Sequence, residues 1–286
     1  MGFTKDAVLF LLHCRARGAD FSSCATIGRQ VLYLNGRELR KVFSRNGQRV
    51  TPAEASAVFE SGGNYAEPLL RLLGANTVDS YDASAYESAT NVVDFNDPLS
   101  EDHKTRYTAV IDGGSLEHVF NFPQGLENAM EMVRPGGHLI LITPTHSRSG
   151  HGFYQVSPEL FHRTLCESNG YEPPEVLVSA SRGDVWYRVA DPTSVGGRVA
   201  INPKLYSDHL FVFARRSRVV PIFEEWPQQS DYAAAWAGGS THTSPDDGFR
   251  ARFRGIRHRI PRPFLNLYAR LASFRSGSPG LQRIDL

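Results

Sequence analysis

This chain is poor in several things at once. It has three cysteines in 286 residues, Cys14, Cys24 and Cys166. They are odd in number and too widely spaced for a metal knuckle, which excludes a disulfide framework and suits a reducing, cytoplasmic compartment. Each then reads as a small buried apolar residue. No apolar run approaches the ~18–20 residues of a membrane span. Ala7–Leu12 is apolar, but Asp6 precedes it and His13-Cys14-Arg15 follows. That core is too short for a secretory leader and lacks a small-residue cleavage site, so an N-terminal helix over about 4–17, closed by Gly18, is expected instead. Neither sign of charge dominates: 31 Lys and Arg against 30 Asp and Glu leave a formal charge of +1. A balanced chain gives no ground for a nucleic-acid partner. No Gly-x-Gly-x-x-Gly run joins a strand to a helix, which excludes a nicotinamide-dependent oxidoreductase. Six of the ten histidines fall between His103 and His162. Among Glu117, His118, His146 and His151 there is neither a His-x3-His helical pair nor a dense carboxylate set, so no metal site is expected.

What is present is concentrated in Tyr107–Pro144. The apolar run Ala109–Ile111 reads as a strand ending in Asp112-Gly113-Gly114. A helix follows, with Phe122, Leu126, Ala129, Met130 and Val133 near helical spacing. Pro135 stops it and Gly136-Gly137 permit a sharp reversal. Leu139–Ile142 carries no charge, as a strand covered on both faces does. In mostly parallel sheets ligands bind beyond the carboxyl ends of strands. Asp112, Glu117, His118, Thr143, Pro144 and His146 all fall at or just past such ends.

The same alternation extends along the chain. Ser23–Ile27, Asn76–Asp82 and Thr90–Asp94 read as the first, second and third sheet strands. Val31–Leu34 is a further apolar run. Asn35 and the Thr51-Pro52-Ala53-Glu54 stretch carry helix-start chemistry, and 65–73 reads as a helix ending at Gly74. Ser157-Pro158-Glu159 starts another helix. Glu175–Ala180, Trp186–Val189 and His209–Ala214 are the remaining strand candidates. The expected fold is α/β, a doubly wound, Rossmann-like, mostly parallel sheet over 1–218. Residues 219–286 read as a Pro-, Gly- and Arg-rich appendage whose last residues, from Ser276, form a loose end. Within it, 249–275 holds eight arginines and no acid, interleaved with aromatic and aliphatic residues. That pattern suits an anionic membrane surface, here the inner face, or a phosphorylated carrier. Pro261 and Pro263 interrupt any single amphipathic helix there.

Asp112, Leu116-Glu117-His118 and Val133-Arg134-Pro135-Gly136-Gly137, in that order, resemble the second half of the class I S-adenosylmethionine (SAM)-dependent methyltransferases, especially their small-molecule type 11 branch. The resemblance spans about 23–215 and is sharp over about 76–170. It implies SAM as cofactor and methyl transfer to an oxygen, less readily a nitrogen, of a small molecule or glycan. It implies Asp82, with Asp79 as competitor, for the ribose hydroxyls, and Asp94 with Phe95 beside the adenine. The glycine-rich first loop of that family is reduced here to Ile27-Gly28-Arg29-Gln30. Gly28 then gives access, and Arg29 or Gln30 meets the methionine carboxylate. Asp112 falls near the transferring methyl, His118 is the first candidate base, and Glu117 is the second. His151, Tyr154 and Gln155, in a glycine-flanked loop, are acceptor contacts. The reduced glycine loop leaves a rival open: a protein of the same fold that binds without catalysing.

Overall fold

The computed structural model describes residues 2–60, 63–180, 183, 185–237 and 280–286. The arginine-rich stretch 249–275 and its expected membrane contact lie outside the described residues. The strands are β1 (Gly2–Phe3), β2 (Ser23–Ile27), β3 (Val31–Leu32), β4 (Thr77–Asp82), β5 (Asn91–Val92), β6 (Tyr107–Asp112), β7 (Val133–Pro144), β8 (Glu175–Ala180), β9 (Val185–Val189), β10 (His209–Arg215) and β11 (Leu281–Ile284). The helices are α1 (Lys5–Ala16), α2 (Gly36–Arg45), α3 (Pro52–Glu60), α4 (Glu67–Leu72), α5 (Phe122–Met132), α6 (Pro158–Thr164), α7 (Pro192–Val195) and α8 (Ser230–Trp236).

A nine-stranded sheet has the order β11-β9-β8-β10-β7-β6-β2-β4-β5. From β5 to β7 all neighbours are parallel. β10 runs antiparallel to both β7 and β8, and β9 antiparallel to β8 and β11. The fold class is therefore the doubly wound, Rossmann-like one expected. Its first sheet strand, β2, lies between β4 and β6, so the winding reverses at β2–β6, where doubly wound sheets open a crevice.

The sheet strands alternate between two apolar layers. Cys24, Ala109, Ile111, Ile140 and Ile142 face one layer, built with α1 to α4. Ala25, Ile27, Val110, Leu139 and Leu141 face the other, built with α5 and α6. Each Ile, Leu or Val among them, fully buried, contributes about 1.5–3 kcal/mol. The run Ala7–Leu12 is the interior of α1, buried on every side, as a helix apolar all round must be. Helix starts follow their local chemistry. Asn35 and Glu38 form a reciprocal capping box on α2, and Thr51 with Glu54 does the same on α3.

One expectation is corrected. The final residues are not a loose end, because Leu281–Ile284 pair along β9 and extend the sheet. The Pro-Gly-Gly stretch makes the expected reversal, with Gly136 at φ +83°, as an irregularity within β7, where pairing with β6 shifts register between Tyr107 and Ala109.

Arg216, just after β10, is 1% exposed. Its guanidinium donates to Glu131 O at 2.9 Å and Val133 O at 2.6 Å. Tyr171 Oη donates to Met130 O at 2.7 Å. Together they add donors to the carbonyls at the end of α5, where Thr105 N also reaches Glu131 O and Val133 N reaches Met130 O, and a cation there complements the helix dipole. Arg216→Ala would leave a cavity and strip a donor from each carbonyl. Unfolding in urea should show a loss of about 3–5 kcal/mol, and an unchanged midpoint would refute the role.

Glu175 on β8 accepts from His13 Nε2 at 2.8 Å and pairs with Arg188. Burial alone would raise its carboxyl, but those hydrogen bonds outweigh burial and hold the pKa at about 2. An unfolded glutamate titrates near ~4.3. The folded pKa is the depressed one, so this stabilisation is complete above the unfolded value and is lost as pH falls towards 2. Thermal midpoints of the wild type and Glu175→Gln should differ at neutral pH and converge in acid. A constant gap would remove the linkage.

Candidate functional site

The carboxyl ends of the parallel strands bring four sequence candidates into one row. Ile27 pairs with Tyr81 on one side and Asp112 on the other, and Asp82 pairs with Val92. Gly28, at φ +70°, donates its N–H to Tyr81 O at 2.6 Å, which sets it beside Asp82. Asp94 follows two residues beyond Val92.

The structure separates the two acids of β4. Asp79 accepts from Tyr107 Oη at 2.7 Å and pairs with Arg106, on the α5 face of the sheet. Asp82 is half-buried at the strand end, and its Oδ1 accepts from Ser84 N at 3.1 Å. Asp94 is exposed and accepts from Asn96 N and Nδ2, and these bonds lower its pKa.

Two cofactor expectations are corrected. Phe95 is 4% exposed and sits edge-on to Tyr81 in the α5-side core, so it offers no open face for stacking. Arg29 turns away from the strand ends. Its guanidinium donates to Glu67 and to Glu87 O, and stacks 3.9 Å over Tyr65. Gln30 folds back, its Nε2 donating to Ile27 O at 2.5 Å and Ser115 Oγ at 3.1 Å. Gln30 and Phe3 crowd Gly113 so closely that a Cβ there would lie 2.4 Å from Gln30 Oε1 and 2.7 Å from Phe3 Cε1.

Beyond β6 a tight 3-10 turn spans Leu116–His118. Asp112 Oδ1 accepts from Ser115 N at 2.7 Å and fixes the turn's start. Asp112 is wholly buried and its Oδ2 has no hydrogen-bond partner. Glu117 is 1% exposed, and neither carboxylate oxygen has one. Burial raises the pKa of both carboxyls, and the charge of Asp112 adds to the rise at Glu117. His118 points outward, its pKa lowered by partial burial and then by His151.

The β7–α6 loop closes over this turn. Phe153 N donates to Glu117 O at 2.8 Å, and Tyr154 Oη to Phe120 O at 2.7 Å. Gln155 Oε1 accepts from Arg148 N at 2.9 Å. The Tyr154 hydroxyl and the Gln155 carbonyl oxygen therefore hold the loop. His151 is the loop residue brought to the cluster, with Nε2 3.6 Å from Glu117 Oε1 and its ring 4.9 Å from that of His118. Two residues on from each histidine, Phe120 and Phe153 meet edge to face at 5.9 Å while 73% and 68% exposed. Sequence reasoning missed this pair. The signal was the matching His-x-Phe spacing in 118–120 and 151–153.

No protein-family model matches this chain, and no curated protein matches it in sequence. Among solved structures it is similar to the trans-methyltransferase CalH complexed with SAH, at 14% identity over 74% of this chain and 55% of that one, with a TM-score of 0.36. It is similar to the CurJ carbon methyltransferase at 13% identity, 75% and 54% coverage and a TM-score of 0.39. It is also similar to the N-methyltransferase NodS from Bradyrhizobium japonicum WM9, at 11% identity, 74% and 94% coverage and a TM-score of 0.37. The chain thus spans about half the length of the CalH and CurJ chains. At these identities and superposition scores, none of the three carries the functional reading, which rests on this chain's own residues.

Proposed function

We propose that this chain is a SAM-dependent methyltransferase acting on an oxygen of a small molecule or glycan. The observation that supports it is the row Asp94, Asp82, Gly28 and Asp112 along the strand ends at the winding reversal, continued by Glu117, His118 and His151. The nucleoside half of the cofactor fits this row. Asp82 is the half-buried acceptor two adjacent ribose hydroxyls require, and the exposed Asp94 carboxylate suits the adenine amino group. The methionine half is closed over Gly113 by Phe3 and Gln30, and those two side chains must give way to admit it. When bound, SAM supplies an electrophilic methyl group.

The chain's own work is then to align the acceptor and remove its proton. The exposed Phe120–Phe153 pair offers the acceptor an apolar platform beside His118. His118 is the candidate base for the acceptor hydroxyl, and His151 flanks it. An anionic surface is the partner that the composition of 249–275 suits.

Calorimetric titration of the whole protein with SAM and with S-adenosylhomocysteine tests the reading. Micromolar binding of either is expected. The packing of Phe3 and Gln30 on Gly113 favours the rival, a binding protein of this fold without catalysis. No binding of either ligand at millimolar concentration would make that rival the better account.

A further inference from the structure

The cluster beyond β6 has a chemistry that methyl transfer does not need. Glu117, His118 and His151 each present a ligand atom, and these atoms all lie within 4.8 Å of one another. We propose that Glu117, His118 and His151 bind a divalent transition-metal ion of the Zn2+ type, with a coordination position left open towards the Phe120–Phe153 side. The inference stands whether or not the chain transfers methyl groups.

The donor set comes first. Two imidazoles and one carboxylate match the preference of Zn2+ and its neighbours, and three protein ligands leave a fourth position for water or substrate. Bond lengths of about 2.0–2.1 Å put neighbouring ligand atoms of a tetrahedral ion roughly 3.3 Å apart. Glu117 Oε1 and His151 Nε2 already stand at 3.6 Å. Small side-chain rotations of His118, an exposed residue, complete the set.

The unsatisfied carboxylate is the second, independent observation. Glu117 is 1% exposed and both of its oxygens lack a donor. Buried carboxylates are ordinarily paired, hydrogen-bonded or metal-bound. Its surroundings also hold it in place. A Cβ on Gly114 would lie 2.9 Å from Glu117 Oε1, and one on Gly152 would lie 2.9 Å from Glu117 Cγ. Any larger residue at either position would push the carboxylate out of line. Asp112, five residues before Glu117 and wholly buried, likewise leaves Oδ2 without a hydrogen-bond partner.

Preorganisation is the third. The ligands come from two segments 33 residues apart in number, yet the segments are tied beside the cluster by Phe153 N to Glu117 O and Tyr154 Oη to Phe120 O. Sequence spacing hid this site, because neither histidine lies on a helix with the other. Only the docking of the β7–α6 loop on the turn after β6 brings them together.

The test uses the full chain, stripped with chelator and titrated calorimetrically with Zn2+ alone. One equivalent should bind with micromolar or tighter affinity. Glu117→Gln, which keeps shape and removes charge, and His151→Ala, in a partly exposed loop, should each weaken binding at least tenfold, with thermal unfolding of the metal-free proteins confirming that both fold. Absence of saturable binding in the wild type would overturn the proposal. So would tight binding that survives both substitutions, since the ion would then sit on other histidines. The titration contains no SAM, so its failure and the failure of the methyltransferase reading are separate results.

Discussion

Asp82→Ala should abolish cofactor binding, with affinity for SAM and S-adenosylhomocysteine falling by about 100-fold or more in calorimetric titration. One carboxylate receiving two ribose hydroxyls makes two charge-assisted hydrogen bonds, each contributing about 1.5–3 kcal/mol. Their joint loss is at least two factors of ten in a binding constant. The fold should survive, because Asp82 is half-buried and its side chain holds only Ser84 N at 3.1 Å. Asp79→Ala makes the complementary control. Its carboxylate serves Tyr107 and Arg106 inside the α5 face, so that variant should lose stability and keep the cofactor. Unchanged affinity in Asp82→Ala would remove the ribose assignment, and loss of binding in Asp79→Ala alone would transfer it.

The two acids also show how far the sequence was readable. Both lie on one strand, and period-two alternation puts Asp79 and Asp82 on opposite faces. Which face looks towards the site depended on β6, whose Tyr107 reaches across to claim Asp79. The strands themselves were legible because Ser23–Ile27, Tyr107–Asp112 and Leu139–Ile142 are short uncharged or nearly uncharged runs bounded by breakers, and burial on both faces demands that composition. Helix starts at Asn35, Thr51 and Ser157 were legible because capping is local chemistry.

Side-chain direction was not legible. Arg29 looks like a carboxylate ligand by position, yet Glu67, 38 residues away, captures it. Phe95 looks like a stacking ring, yet Tyr81 and the α5-side core enclose it. Arg216 gave no sequence signal at all, since an arginine after a strand is ordinarily solvated. Its burial goes with the carbonyls of Glu131 and Val133 to which it donates. Tertiary partners decided each of these cases, and no local pattern encodes a tertiary partner.

His118→Ala should lower turnover by about 10²–10⁴-fold while leaving cofactor affinity within about twofold. The measurement is S-adenosylhomocysteine formed from SAM with a hydroxylated acceptor that the wild type methylates. The 3-10 turn sends Leu116 and Glu117 inward and leaves His118 outward, so truncating it removes chemistry without opening the core. Its ring contact is with His151, whereas Asp82 and Asp94 bond within their own loops, which is why binding and turnover should part. Equal activity in the two proteins would remove His118 from the mechanism. A loss would still admit two routes, since His118 can accept the acceptor's proton itself or help hold a cation that acidifies the hydroxyl. Chelation separates them. If His118 is the base, stripping metal leaves wild-type turnover intact. If it is a ligand, stripping metal reproduces the His118→Ala defect, and Zn2+ restores the wild type but not the variant.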